Sequence, residues 1–205
     1  DIAFPATHGT YGEDGSLMGL LRMANIPFVG CDMDASVVAM DKVLAKQIAE
    51  ANKIAVAKYV TVTNQEFARN TGQIITDITS KLQFPLFVKP AHLGSSIGIN
   101  RAVSNTELQN AIEVAMHYDD KVLVEEEVSN LIEVSLPIIG NRQVRPAMLE
   151  RPLTNPEDFF DFETKYMQGG EKGGKKGISG AKKGAHGYSE IPAKLPQNLY
   201  KKAEQ

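Results

Sequence analysis

The sequence has no tryptophan, only one cysteine and no surplus of positive charge. A lone Cys31 excludes an internal disulfide and fits a reducing compartment, so the cytoplasm is the expected location and Cys31 is expected to be a small core residue. A formal net charge of -3 over 205 residues offers no global attraction to nucleic acid or to an anionic membrane, and neither is expected as a partner. No apolar run approaches the roughly 20 residues needed to span a bilayer, and no basic flank followed by an apolar stretch opens the chain. The four histidines are too scattered to suggest a metal cluster. There is no initiating methionine either. Asp1-Ile2-Ala3-Phe4-Pro5 reads as the tail of a strand, and the chain is expected to be cut at its front. Its length suits one large domain or two small ones.

The most informative segment present is Phe87-Val88-Lys89-Pro90-Ala91-His92-Leu93-Gly94-Ser95-Ser96-Ile97-Gly98. A lysine closes an apolar strand, a small-residue loop follows, and a second strand begins. Without Cβ atoms at Gly94 and Gly98, backbone N–H groups can converge on an anion; Ser95 and Ser96 add donors and Lys89 a point charge. A nucleotide triphosphate fits that description. So does an ordinary hairpin whose glycines and serines only satisfy turn geometry.

Asp14 is placed to cap a helix with Leu17, Leu20, Leu21 and Ala24 on one face. Asp41 is placed to cap a second helix, with Leu44, Ile48 and Ala51 inward and Lys42 in its first turn. A cation there opposes the helix dipole, which hints at a compensating phosphate or reflects chance. From residue 54 the order reads strand, helix, strand, strand, helix, strand. Thr63 to Glu66 and Ser104 to Glu107 have capping-box spacing, and Leu108, Ala111, Ile112 and Ala115 give the later helix an apolar face. Lys121-Val122-Leu123-Val124-Glu125-Glu126-Glu127 is an apolar strand that ends in three carboxylates. These read as a solvated strand end, as metal ligands if other acids converge on them, or as acceptors for an adenine amino group at the edge of a cleft. Extended segments over 132–139 and 143–148 flank a turn at Gly140-Asn141.

Five blocks in order carry a resemblance: His8-Gly9-Thr10-Tyr11-Gly12-Glu13-Asp14-Gly15; Met40-Asp41-Lys42; Val88-Lys89-Pro90 with Gly94-Ser95-Ser96-Ile97-Gly98; Val122-Leu123-Val124-Glu125; and Phe159-Phe160-Asp161-Phe162-Glu163-Thr164-Lys165-Tyr166. Over residues 1 to about 166 the chain resembles D-alanine–D-alanine ligases, a family with the ATP-grasp fold. The implied fold class is α/β, built of α+β lobes: an incomplete ATP-grasp with a remnant of an amino-terminal Rossmann-like substrate domain. The implied domains are 1–38, the end of a D-alanine-binding domain; 39–126, a central lobe with the Gly-Ser loop; and 127–205, the start of a carboxy-terminal lobe with a mobile loop at 167–190.

The resemblance implies that ATP lies between two lobes and phosphorylates one D-alanine, whose acyl phosphate is attacked by the amine of a second. The product is D-alanyl-D-alanine for peptidoglycan. By matching positions, Lys42, Lys89, Ser96 and Lys165 would hold phosphates, while Glu125, Glu126, Val128 and Phe159 would meet the nucleotide. Ser95 and Tyr166 would join a hydrogen-bonded link that closes over substrate, and His8 and Glu13 would lie near the D-alanine sites. Tyr166 also points to an amine as the second nucleophile. Mg2+ ligands are expected beyond Gln205, none within the chain, so the isolated chain is expected to bind nucleotide weakly and not to ligate. A homodimer of the parent protein is a further implied state, through an amino-terminal domain largely absent here.

Two positions depart from the family pattern. Leu131 stands where a ribose-binding glutamate is usual, and Glu133 could replace it after a two-residue slip, since alternation puts 131 and 133 on one face of a strand. Glu126 stands where lysine is common. Between Gly169 and Gly187 five lysines and one acid are spread among glycines, a composition that reads first as a disordered loop, then as a lid extension, and last as a nucleic-acid contact. Beyond it, Ile191 to Pro196 and then 198–205 read as a turn into a helix. A non-catalytic nucleotide-binding module and an ATP-grasp ligase of other amino acids stay open as alternatives.

Overall fold

Strand alternation places Leu86 and Val88 on one face of their strand and Phe87 and Lys89 on the other, and the same period runs through 121–126. The computed structural model describes residues 1–152 and 189–204, and divides into two compact units, Asp1–Val128 and Ser129–Gln205. In the first unit, strands β1 (Tyr59–Thr63), β2 (Leu86–Pro90), β3 (Asn100–Ala102) and β4 (Lys121–Glu126) form one antiparallel sheet in the order β1-β4-β2-β3. The register sets Val88 opposite Val124 and Phe87 opposite Glu125. Helices α1 (Ser16–Met23), α2 (Met33–Met40) and α3 (Lys42–Ala51) precede the sheet; α4 (Asn64–Arg69), α5 (Thr71–Lys81) and α6 (Asn105–Met116) are interleaved with its strands.

One sheet face is dry. Val62, Leu86, Val88, Val122 and Val124 meet Phe67, Ile75, Ile78, Leu108, Ile112 and Ala115 of α4, α5 and α6 in a single core. Burying each of the larger side chains contributes on the order of 1.5–3 kcal/mol. The caps fix where these helices start. Thr63 and Glu66 make the full capping box expected of them. At the second site Ser104 accepts from Glu107 N, while the Glu107 carboxylate accepts from Val103 N, one residue further back than a capping box requires. Leu108, Ala111, Ile112 and Ala115 are buried, as their spacing predicts.

The opposite sheet face carries a smaller cluster, in which Val43 of α3 packs on Ala91 and Leu123 with Tyr59 beside them. Here the expected inward face of α3 is corrected. Leu44 and Ile48 are exposed, and Val43 with the stems of Lys42 and Lys46 faces the sheet. At 100° per residue, positions 42, 43 and 46 lie on the side of the helix away from 44, 48 and 51. Asp41 does cap α3, its carboxylate accepting from Val43 N at 2.9 Å and Leu44 N at 3.2 Å.

Three other expectations shift at the front of the chain. Gly15, at φ 90°, is the N-cap of α1, and Asp14 instead accepts from Tyr11 N and Ser16 N. The residue of α1 that is buried is Met18, whereas Leu20 is exposed. Cys31 is exposed rather than in a core, because it stands on the open connection between the Ala3–Phe28 bridge and α2.

The second unit is built on short pairings. Strands β5 (Ile138–Ile139) and β6 (Arg145–Pro146) form a hairpin around Gly140, where φ is 126° and a Cβ would meet Gln143 O at 2.1 Å. Strands β7 (Arg151–Pro152) and β8 (Ser189–Glu190) pair antiparallel, with Leu149 and Ala193 buried and joined by Ala193 N donating to Leu149 O. Helix α7 (Gln197–Glu204) follows, where a helix is predicted. Residues 131–133 are not in a strand, so the alternation argument for a slip between Leu131 and Glu133 does not apply. Among the described residues no helix is long and apolar enough to cross a membrane.

Candidate nucleotide site

Glu125 sits on the face of β4 that α3 covers, almost fully buried, with one lysine on each carboxylate oxygen. Lys89, diagonal to it on β2, pairs with Oε1, and Lys46 of α3 lies 2.8 Å from Oε2. Burial alone would push the carboxyl up. The charge of Lys89 and hydrogen bonds from both lysines outweigh that and hold it below the ordinary glutamate value.

Lys42 reaches the same face from the first turn of α3. Its Nζ donates to the carbonyls of Pro90, at 2.9 Å, and Leu93, and its backbone N–H donates to Ala91 O at 3.0 Å. Burial, and then repulsion from Lys89, pull this amine below the ordinary lysine value against the opposing pull of Asp119, Asp41 and Glu125. Lys42, Lys46 and Lys89 thus gather around Glu125 on the α3 face of the sheet, with Asp41 and Asp119 also acting on the Lys42 amine. Lys42 and Lys89, at the root of the Gly-Ser loop, are the amines placed to neutralise an anion there.

The loop itself turns twice, Ile97 N donating to Gly94 O and Ile99 N to Ser96 O. Ser95 and Ser96 are both left-handed, with φ 52° and 60°, a conformation that a non-glycine residue holds at a cost. Gly98, at φ 71°, allows close approach: a Cβ there would lie 2.8 Å from Pro90 Cγ and 2.9 Å from the Tyr118 ring. At the loop's root a second polar cluster holds His92. Its Nδ1 is 2.9 Å from Asp119 Oδ2, its Nε2 3.3 Å from Asp41 Oδ2, and Lys121 pairs with the same Asp41 oxygen. Burial would raise the Asp41 carboxyl; the hydrogen bonds from Lys121, Leu44 N and Val43 N hold it below its ordinary value.

Of the residues singled out from sequence, the structure brings together Lys42, Lys89 and Glu125 on one face, with Ser95 and Ser96 in the loop above. The three acids do not converge. Glu125 takes the two lysines, Glu126 turns to the other face and accepts from Gln83 N at 3.0 Å, and Glu127 makes a two-point pair with Arg101, which removes the metal reading of the trio. Val128 is exposed at the end of the first unit. His8 and Glu13 stay with each other on an exposed loop, His8 Nδ1 3.9 Å from Glu13 Oε1 and Glu13 accepting from Gly9 N. That loop borders a cleft of about 390 Å³ lined by Thr10, Asp14, Met40, His92 and Asp119, though His8 and Glu13 are not in its wall. Phe159, Lys165, Tyr166 and the Gly/Lys-rich segment lie outside the described residues. Lys46 and His92 were not singled out from sequence. Only Lys46 left a signal, its i,i+4 spacing from Lys42.

Two family models match the chain, described as D-ala D-ala ligase C-terminus over residues 48–201 and D-ala D-ala ligase N-terminus over residues 1–31. The chain belongs to the D-alanine–D-alanine ligase family. It is 40% identical over 170 residues to a D-alanine–D-alanine ligase of Chloroherpeton thalassium, covering 82% of this chain and 46% of the relative. It is 33% identical over 204 residues to one of Enterococcus hirae, covering 100% and 52%. Among solved structures, the VanG D-Ala:D-Ser ligase from Enterococcus faecalis superposes with a TM-score of 0.76 at 32% identity, over 99% of this chain and 53% of that one. The fold is that of the ATP-grasp ligases, and the chain spans about half the length of the curated relatives it matches. Among the described residues of this family member, no group of three His, Cys, Asp or Glu side chains is placed to hold a metal ion.

Proposed function

We propose that this chain forms the nucleotide-binding part of an enzyme that joins two D-alanines at the expense of ATP. One observation carries the reading: amines from two separate elements, Lys42 of α3 and Lys89 of β2, meet on one sheet face beneath a left-handed Gly-Ser loop, with Glu125 beside them. Phosphoryl transfer needs charge neutralised on nonbridging oxygens and reactants held in line. Lys42 and Lys89 supply the charge, and the Ser95-Ser96 turn supplies donors. Glu125 is placed to accept from the exocyclic amine of adenine.

In the reaction so proposed, a D-alanine carboxylate oxygen attacks the γ-phosphorus and ADP leaves. The amine of the second amino acid then attacks the acyl carbon, loses a proton and expels inorganic phosphate. Ser95 and Tyr166 are assigned to closing the loop over substrate, Lys165 to the phosphates, and His8 and Glu13 to the amino acids. Tyr166 goes with an amine nucleophile, a class that includes the D-alanine in the relatives' names and the D-serine in that of the Enterococcus faecalis enzyme. Mg2+ as the nucleotide's counterion, a cytoplasmic setting and a place in peptidoglycan synthesis belong to the same proposal.

The test is ADP release by the polypeptide as the cell makes it. Release that depends on D-alanine, with D-alanyl-D-alanine identified by mass spectrometry, supports the reading. Nucleotide binding with no D-amino-acid-dependent release supports a non-catalytic module instead.

A further inference from the structure

The two lysines on Glu125 are not equivalent. Lys89 stands at the foot of the Gly-Ser loop, its Nζ 5.8 Å from the centre of the Phe87 ring, where an incoming phosphate would compete with Glu125 for it. Lys46 is held independently. Its Nζ donates to Ala57 O at 3.3 Å and lies 5.2 Å from the centre of the Tyr59 ring, and its side chain is 17% exposed against 23% for Lys89. When a triphosphate draws Lys89 away, Oε1 of Glu125 is vacated while Oε2 keeps its partner at 2.8 Å.

We propose that Lys46 is a specificity-determining positioning residue: it keeps Glu125 ionised and aimed after Lys89 turns to the phosphates, so that the vacated oxygen accepts a hydrogen bond from the 6-amino group of adenine. This rests on the nucleotide reading of the site and adds to it the residue that makes base selection compatible with phosphate binding. The charged and titratable groups around Glu125 are Lys42 and Lys46 on α3, Lys89 on β2 and, directly opposite in the register, Tyr59 on β1. With Lys89 engaged elsewhere and Lys46 removed, a buried carboxylate loses both neighbouring counter-charges, and burial then favours its neutral, protonated form. A protonated carboxyl donates as well as accepts, so it meets the 6-oxo group of inosine as readily as an amine.

The experiment is a titration of the protein with ATP and with ITP, which replaces the 6-amino group by oxygen. It is run at pH 7 and pH 6 on the wild type, Lys46→Met, Lys46→Gln and Lys46→Arg. The wild type is expected to prefer ATP. Lys46→Met and Lys46→Gln are expected to lose ATP affinity about tenfold, the loss of one charge-assisted hydrogen bond, and ITP affinity less than about threefold, with Lys46→Arg near wild type. Lys46→Gln keeps a donor for Ala57 O, so it carries the test if Lys46→Met does not fold. An ATP-to-ITP ratio unchanged in folded Lys46→Gln, with both affinities lowered equally, overturns the proposal. A wild type that binds neither nucleotide overturns the site reading itself.

Discussion

Lys89 and Glu125 lie diagonally across two hydrogen-bonded strands, two positions apart in the register, and pair on the sheet face that α3 covers. Glu125 is otherwise enclosed, so removal of Lys89 leaves a buried carboxylate with Lys46 alone. Lys89→Met is expected to cost about 1–3 kcal/mol at pH 7, read by urea denaturation. A cost below about 0.3 kcal/mol would mean that the pair is solvated and idle.

The same pair sets a pH dependence. Glu125 and Asp41 are both held below their ordinary values, 4.5 and 3.8, so the stability they contribute is complete above those values and is lost as pH falls through their lower folded values. In Lys89→Met the folded Glu125 carboxyl rises toward or above its unfolded value, so the share of acid destabilisation that comes from Glu125 should shrink or reverse. Acid titrations of stability that superimpose for wild type and variant contradict this.

Asp41 ties three things together: the cap of α3, the Lys121 amine and the His92 ring. Asp41→Ala is expected to cost about 2–3 kcal/mol, the loss of a cap plus a stranded, half-buried Lys121. Asp41→Asn keeps an acceptor for the helix N–H groups and should cost less. Equal losses in thermal denaturation would show that the cap contributes little.

Two glycines of the loop should behave oppositely. Gly98→Ala forces a Cβ against the Pro90 ring at positive φ, and should cost at least about 1–2 kcal/mol along with nucleotide affinity. At Gly94 a Cβ meets nothing within 4 Å, and Gly94→Ala should be close to neutral. Matching stabilities for the two variants would refute the packing account.

The amine of Lys42 is held below its ordinary value, so in the window between its folded and unfolded values the unfolded chain binds more protons and stability rises with pH. An anion at the loop favours the protonated amine and raises its proton affinity. Nucleotide titrations in two buffers of different ionisation enthalpy, on the alkaline side of neutral, should show proton uptake that is absent in Lys42→Met. Equal uptake in both proteins contradicts this placing of the amine.

The strands on either side of the Gly-Ser loop and the caps at Asp41, Thr63 and Ser104 were legible in the sequence, because strand alternation and capping residues are local signals; the cap expected of Asp14 fell to Gly15. The sequence misdirected the reading of α3, where the apolar period of Leu44 and Ile48 stood out. The buried side is instead made of Val43 and two lysine stems, which cover apolar surface while their amines reach polar partners. The three consecutive acids misled for a related reason: neighbours on a strand point to opposite faces, and each found a different partner. The His92 cluster joins residues 41, 92 and 119, and no local pattern brings those positions together.

The most direct test of the central claim, that amines from α3 and β2 form one phosphate cradle, is a calorimetric titration of the protein with ATP and Mg2+, repeated on Lys89→Ala and Lys42→Ala. The wild type is expected to bind measurably and each variant to lose at least about tenfold in affinity, with both still folded. Wild-type affinity retained in both folded variants would contradict it.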